Sequence, residues 1–156
     1  MPTEILTQEQ YSEKITALLH DDYWQQMPML CAQLKPFPES WDAETMRLRT
    51  SFNTADWMGN PINWLHGGII TTIFDNAMGT LAAIHACSSF TPTVSIQVNF
   101  LRPVPTEGKV FVDAHITKLG KTLIYLNAEL FREGQAHKLS ATASAVYAVH
   151  NEARFA

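Results

Sequence analysis

The chain has 156 residues, of which 46% are hydrophobic and 17% are charged. This length and composition predict a single folded domain with a sizeable core, and they exclude disorder over most of the chain. The formal net charge is −4, from 11 basic and 15 acidic residues. Because a protein that binds a polyanion needs clustered lysine and arginine, we expect no nucleic-acid partner.

Two cysteines, Cys31 and Cys87, stand far apart and lack the spacing of metal ligands. The sequence therefore predicts no disulfide framework and no zinc site, and it favours a reducing compartment. The N-terminus begins Met-Pro-Thr-Glu, without a basic or apolar leader. No window approaches the roughly 18 uninterrupted apolar residues typical of a membrane span. We expect a cytoplasmic protein with no membrane partner.

The first 40 residues are predicted to form a helical extension, with the main domain at residues 41–156. The segment Thr7–Gln10 has the form of a capping box, and apolar residues then recur at helical spacing. This pattern predicts a short amphipathic helix over about 8–20. Residues 21–40 contain three prolines, which predicts a broken helical segment followed by a connection.

Beyond this extension, apolar and polar side chains alternate over residues 46–52, which predicts a half-buried strand, and residues 53–63 are typical of a loop. From His66 the pattern changes to a helix of about five turns that is apolar nearly all round. Such a helix is expected at the centre of the core.

Four β-prone runs follow this helix, at about 91–101, 109–118, 122–132 and 135–149. Segments typical of hairpin turns separate them, so we expect an antiparallel meander. These segments are Pro103-Val104-Pro105, Leu119-Gly120-Lys121 and Glu133-Gly134. One buried helix followed by a long antiparallel sheet predicts an α+β fold with the sheet wrapped around the helix.

Two glycines, Gly67 and Gly68, follow His66 at the start of the apolar helix. The N–H groups of a first helical turn have no intrahelical acceptors, and the helix dipole is positive there. This end can stabilise an oxyanion, and glycine lets a ligand carbonyl approach its donors closely. The pair is equally compatible with a tight turn that has no chemical role.

Asp75 is the only charged residue between Asp56 and Arg102, and it lies in the middle of the apolar helix. Burial of a lone carboxylate costs several kcal/mol, so Asp75 is hydrogen-bonded, exposed in a cleft or retained for chemistry. Asp75 lies about 10.5 Å along the helix from Gly68. If both serve one carbonyl, the carboxylate comes from a second copy, antiparallel across a two-fold axis. A structural cap on a neighbouring loop is the alternative.

Several motifs combine into a family resemblance. The segment Asn60–Gly68 reads Asn-Pro-Ile-Asn-Trp-Leu-His-Gly-Gly, and Asp75 lies nine positions after its histidine. The segment Thr93–Pro103 ends in Phe-Leu-Arg-Pro, and Lys118–Lys121 forms a basic glycine turn. In this order and spacing, residues 45–149 resemble the hotdog-fold acyl-CoA thioesterases of the phenylacetate-degradation type. The resemblance implies a long central helix wrapped by a five- to six-stranded antiparallel sheet.

The resemblance also implies the roles of four catalytic residues. The Gly68 backbone N–H polarises the thioester carbonyl, and Asp75 of the partner subunit is either the nucleophile or the general base. As nucleophile it forms an anhydride, and as base it activates a water. Asn60 matches a position that helps to hold the water or the substrate. His66 orients the helix start and contacts the acyl region.

Further residues are candidates for binding the substrate. Gly67 accompanies Gly68 at the helix start, and Thr93 matches a position where the family carries Ser or Thr. Trp64 is a candidate for the acyl or aryl pocket, as are Trp57, Met58 and Phe74, with plain packing as the alternative.

The CoA phosphates have three basic candidates, Arg102, Lys118 and Lys121. They fit the basic bias of residues 102–138, which hold six bases against four acids. Solvated hairpin ends are the alternative.

These patterns predict an acyl-CoA thioesterase that uses no metal or redox cofactor and is at least a homodimer, with a homotetramer also open. A hotdog dehydratase or hydratase is a weaker reading, because the His-x-x-Gly-x-Pro arrangement is absent. A non-catalytic acyl-CoA-binding or dimerisation module is the alternative outside enzymes. The acyl group and the choice between nucleophile and base stay open.

Overall fold

The computed structural model describes residues 5–19, 28–86 and 91–149. The predictions for Cys87 and for residues 21–27 lie outside this part of the chain. In chain order the elements are α1 (Gln8–Leu19), α2 (Leu30–Leu34), β1 (Phe37–Asp42), β2 (Arg47–Thr54), a 3-10 turn (Asp56–Met58), α3 (Gly67–Ala86), β3 (Thr93–Phe100), β4 (Gly108–Leu119), β5 (Leu123–Arg132) and β6 (Leu139–Ala148).

Helix α3 is the apolar helix predicted after His66, and it forms the centre of the core. The strands make one antiparallel sheet in the order β1-β2-β4-β5-β6-β3, and the helix packs against β2 to β6. By length and composition α3 is also apolar enough to cross a membrane. Here the sheet covers one side of it, and Ile73, Phe74 and Leu81 are fully buried. The predicted α+β fold with a wrapped central helix is confirmed.

The predicted four-strand meander is correct only for its last three strands. Strands β4, β5 and β6 are sequential neighbours, but β3 pairs with β6 at the far edge of the sheet. The link Pro103-Val104-Pro105 is therefore a crossover rather than a hairpin turn. Backbone bonds fix it beside the loop before α3, because Leu65 N–H donates to Val104 O at 2.7 Å. Alternating apolar residues reveal a strand but not its neighbours, so the sequence pattern missed this order.

The connection predicted to extend to residue 40 is too long. Residues 37–40 already belong to β1, which pairs with β2 at the other edge of the sheet. An edge strand tolerates Pro38, because a proline lacks only an N–H that need not join the ladder. Strand β2 likewise continues to Thr54, beyond the predicted start of the loop.

Helix α1 confirms the predicted helix over about 8–20, and its capping box is present. Gln10 N–H donates to Thr7 Oγ1 at 3.3 Å, and Thr7 N–H donates to Gln10 Oε1 at 3.0 Å. Tyr11 and Ile15 are buried in the same core as the sheet, and Tyr11 donates its hydroxyl to Arg47 O at 3.2 Å. The division of the chain at residue 40 stays a prediction.

Candidate active site

The start of helix α3 is capped by the imidazole of His66. His66 O accepts hydrogen bonds from Ile69 N–H at 2.9 Å and Ile70 N–H at 3.1 Å, which makes His66 the N-cap and Gly67 the first helical residue. The ring turns back so that Gly68 N–H donates to His66 Nδ1 at 2.9 Å. In the neutral ring the proton is then on Nε2, which is left as a donor.

This cap occupies the N–H group that the sequence assigned to the thioester carbonyl. With Gly68 N–H bonded to His66, the first-turn donor without an acceptor among the described residues is Gly67 N–H. A Cβ added at Gly67 would lie 3.3 Å from Phe100 Cζ, so glycine makes room for the Phe100 ring beside this donor. The motif alone does not distinguish the two glycines, because the difference depends on the direction of the imidazole ring.

Asn60 organises the loop that leads into α3. Its Oδ1 accepts hydrogen bonds from Ile62 N–H and Trp64 N–H, both at 3.1 Å. Asn63 completes the turn with φ +60°, a left-handed conformation that asparagine tolerates. The side-chain oxygen of Asn60 therefore serves the loop, and its Nδ2 group is the part left for a water or a substrate.

The carboxylate of Asp75 is held from one side by two hydroxyl groups. Thr93 Oγ1 and Tyr147 OH each donate to Asp75 Oδ1 at 2.8 Å. Asp75 Oδ2 has no hydrogen-bond partner in the described part of the chain. One oxygen is thus fixed while the other is left for chemistry, and Asp75 is only partly buried.

Tyr147 is the site residue that the sequence analysis missed. It is fully buried near the end of β6, and its ring lies against Gly79, one turn of α3 beyond Asp75. Burial, and then the negative charge of Asp75, raise the pKa of Tyr147 above its ordinary value of 10.0. The phenol therefore stays protonated and remains a donor. No spacing rule links residues 72 positions apart, so only the sheet order could reveal this contact.

A cavity of about 490 Å³ opens beside Asp75, Thr93 and Tyr147. Asn76, Gly79, Thr80 and Ala83 of α3 form one wall. The N-terminal elements also line it, with Leu18, Leu19, Cys31, Ala32, Lys35 and Pro36. The N-terminal segment, which carried no substrate information as a sequence, therefore shapes the space next to the carboxylate.

The two halves of the predicted site are separated within one chain. Asp75 and Thr93 line the cavity, whereas Asn60, His66 and Gly67 are not among its described lining residues. Gly67 and Asp75 are eight positions apart on one helix, which is about 12 Å. A single carbonyl cannot contact both groups of the same chain.

The three basic candidates do not form one cluster in this chain. Arg102 donates from Nη1 to Leu139 O, at the start of β6. Lys118 and Lys121 flank the β4–β5 turn, which lies beside the other end of β6, where Val149 N–H donates to Thr122 O at 2.9 Å. Because a strand rises about 3.3 Å per residue, the ends of β6 are about 30 Å apart. The three residues of one chain are therefore divided between two ends of the sheet.

The apolar candidates divide by exposure. Met58 and Phe74 are buried in the core, so they pack rather than line the cavity. Trp57 and Trp64 are exposed near the start of α3, and Trp64 is held in place by an antiparallel bridge to Pro105.

The strand order, the wrapped central helix and the motif positions define a hotdog-fold protein. Residues 63–137 match the family model of the thioesterase superfamily. Acyl-coenzyme A thioesterase 13 from Homo sapiens is 33% identical over 73 residues, which are 46% of this chain and 51% of that protein. The Pongo abelii protein of the same name gives the same values. The chain thus spans about half the length of the curated relatives that it matches.

Solved structures share the fold at low sequence identity. The E. coli PaaI protein from the phenylacetic acid degradation operon superposes with a TM-score of 0.74 at 19% identity, over 90% of this chain and 96% of that one. A phenylacetic acid degradation-related protein from Ralstonia eutropha JMP134 gives a TM-score of 0.71 at 21% identity, over 83% and 98%. The family model and the fold together confirm the resemblance to the hotdog thioesterase superfamily.

Proposed function

We propose that this protein hydrolyses an acyl-CoA thioester to a free acid and CoA, at a site shared between two copies of the chain. The observation that carries this proposal is the Asp75 carboxylate beside a cavity. Its Oδ1 is fixed by Thr93 and Tyr147, and its Oδ2 has no partner among the described residues. The match of residues 63–137 to the thioesterase superfamily supports the same chemistry.

A second copy is proposed to pair along β3. This strand lies at the sheet edge with the sequence Thr-Val-Ser-Ile-Gln-Val-Asn-Phe, which holds no charged residue over eight positions. Exposed edge strands are usually protected by charge, proline or a covering element. An antiparallel copy along β3 brings its Gly67 towards the Asp75 end of the first chain. The same operation brings its Arg102 to the end that carries Lys118 and Lys121.

In this assembly the Gly67 N–H of one copy polarises the thioester carbonyl, and Asp75 of the other copy acts on the carbonyl carbon. As nucleophile, Asp75 Oδ2 forms an anhydride and CoA leaves as the thiolate, after which water cleaves the anhydride to the acid. As general base, Oδ2 takes a proton from water, and the hydroxide displaces CoA directly. In both routes Thr93 and Tyr147 position the carboxylate.

The test is the release of free thiol from a panel of acyl-CoAs that runs from short-chain through long-chain to aryl groups. We expect turnover by the wild-type protein and a loss of at least about a hundredfold in Asp75→Asn. Glu129→Gln is the matched control, because Glu129 is an exposed carboxylate on β5. A folded wild-type protein that binds CoA thioesters without turnover would favour the non-catalytic binding module instead.

The shared site has its own test, in which inactive variants are mixed. In a heterodimer of the two variants, the Asp75→Asn copy keeps Gly67 and the Gly67→Pro copy keeps Asp75. One of the two shared sites is therefore intact. After exchange of subunits at equal concentrations, half of the dimers are heterodimers, so we expect recovery of about a quarter of wild-type activity. Recovery no greater than the sum of the separate variants contradicts a site built from two copies.

A further inference from the structure

Asn76 follows Asp75 on α3 and lines the same cavity. Its Oδ1 is closed off from water and has no hydrogen-bond partner among the described residues. Its backbone carbonyl is occupied, because Thr80 Oγ1 donates to Asn76 O at 2.8 Å. Asn76 thus places a side-chain oxygen without a described partner in the wall next to the Asp75 carboxylate.

The neighbouring hydroxyl groups of this wall already have acceptors. Thr80 is bonded to Asn76 O, and Thr91 Oγ1 donates to Gly79 O at 3.4 Å. Nearly all buried polar groups in folded proteins are hydrogen-bonded, so an exception indicates a partner that binds there. The N-terminal residues that line the cavity include Lys35 and Cys31 besides Leu18, Leu19 and Pro36, and none of these described residues donates to Asn76 Oδ1.

We propose that Asn76 recognises a hydroxyl group on the acyl part of the substrate, a specificity that rests on the proposed hydrolysis at Asp75. Because Oδ1 is closed off in this structure, the contact requires the side chain to turn towards the cavity. A half-turn of the side-chain amide exchanges its oxygen and nitrogen with almost no change of shape. A hydroxyl group both donates and accepts, so it pairs with the amide in either orientation.

The position of Asn76 restricts where this hydroxyl group lies. Asp75 and Asn76 are adjacent on the helix, with a rise of about 1.5 Å and side chains about 100° apart. A group that contacts Asn76 while Asp75 contacts the carbonyl therefore lies on the first few carbons of the acyl chain. An acyl chain without that group leaves Asn76 Oδ1 without a partner, and a site with a polar group left unpaired discriminates strongly between substrates.

The experiment compares kcat/KM for hexanoyl-CoA and its 3-, 4- and 5-hydroxy derivatives. We expect the wild-type protein to prefer at least one hydroxylated substrate by about tenfold or more. In Asn76→Leu, which has similar volume without polar atoms, we expect the ratio to fall close to one while hexanoyl-CoA is still hydrolysed. Thr80→Val is the matched control, because it removes a satisfied hydroxyl group from the same wall, and the preference should survive.

The possible failures are distinguishable. No preference in the wild-type protein, or a preference that survives Asn76→Leu, overturns the role of Asn76 and leaves the proposed hydrolysis intact. Dissociation of Asn76→Leu in light scattering, with the wild-type assembly intact, assigns the amide to a contact between copies and also overturns it. A folded wild-type protein that hydrolyses none of these or the other thioesters contradicts the proposed function, and this inference with it.

Discussion

The phenol of Tyr147 lies 2.8 Å from Asp75 Oδ1, so a buried residue near the end of the last strand fixes a carboxylate in the middle of the central helix. The same hydroxyl also lies 3.1 Å from Asp75 O. Because burial raises the pKa of Tyr147, the phenol keeps its proton and donates. In the proposed mechanism Tyr147 is therefore a positioning residue that acts through Asp75.

Replacement of Tyr147 by phenylalanine tests this role. A hydrogen bond to a charged group contributes about 1.5–3 kcal/mol, so we expect kcat to fall by about tenfold or more with little change in KM. The measurement is steady-state thiol release at several pH values. Tyr125→Phe is the control, because Tyr125 lies on β5 away from the cavity. An unchanged kcat in a folded Tyr147→Phe protein contradicts the positioning role.

Proline substitutions at the start of α3 test which of Gly67 and Gly68 donates its N–H to the carbonyl, because proline removes a backbone N–H. Proline is well tolerated in the first helical turn. If Gly67 N–H is the donor to the carbonyl, Gly67→Pro lowers kcat by about 10²–10³. Gly68→Pro removes the bond to His66 Nδ1 and places a Cβ 3.0 Å from that atom, so the imidazole must shift. Because Gly67 N–H is kept, we expect a much smaller loss. Equal kcat values for Gly67→Pro and the wild type would instead favour Gly68 N–H as the donor to the thioester carbonyl.

Much of this arrangement was predictable from sequence, and what was missed depends on three-dimensional contacts that sequence spacing does not give. The spacing from Asn60 to Asp75 placed the loop, the helix start and the carboxylate, because these lie on one continuous segment where helical periodicity applies. The resemblance also singled out Thr93, whose hydroxyl donates to Asp75 Oδ1, and its role in substrate binding stays a prediction. Tyr147 and the place of β3 in the sheet depend on contacts between distant segments. The choice between Gly67 and Gly68 depends on one side-chain rotamer.

The proposed pairing along β3 predicts a difference between the two edges of the sheet. Val94 on β3 and Phe37 on β1 are both exposed apolar residues of edge strands, at 57% and 52%. A lysine at position 94 would place like charges in the proposed interface, whereas a lysine at position 37 would stay in water. We expect Val94→Lys to lower the mass measured by light scattering and to reduce activity, and Phe37→Lys to do neither. The same mass for both variants and the wild type would exclude an interface at β3.

Two buried tyrosines predict how stability changes in alkali. Burial raises the pKa of Tyr11 and of Tyr147 above the ordinary value of 10.0, with smaller contributions from Asp42 and Asp75 respectively. Below pH 10 both residues are protonated in the folded and unfolded states, so their stabilising contribution is complete. Above pH 10 the unfolded chain loses protons that the folded chain retains. The free energy of unfolding therefore falls as the pH rises, by about 1.4 kcal/mol per pH unit for each tyrosine.

Urea unfolding at pH 9, 10 and 11, followed by circular dichroism, measures this slope. The two buried tyrosines together cause part of this slope, and Tyr11→Phe and Tyr147→Phe should each remove about half of that part. Replacement of the exposed Tyr125 by phenylalanine should leave the slope unchanged. Tyr147→Phe also removes the donor to Asp75, so its unfolding free energy is compared with the wild type at pH 9 as well. A slope that is the same in both buried-site variants and the wild type would mean that neither phenol is held protonated by the fold.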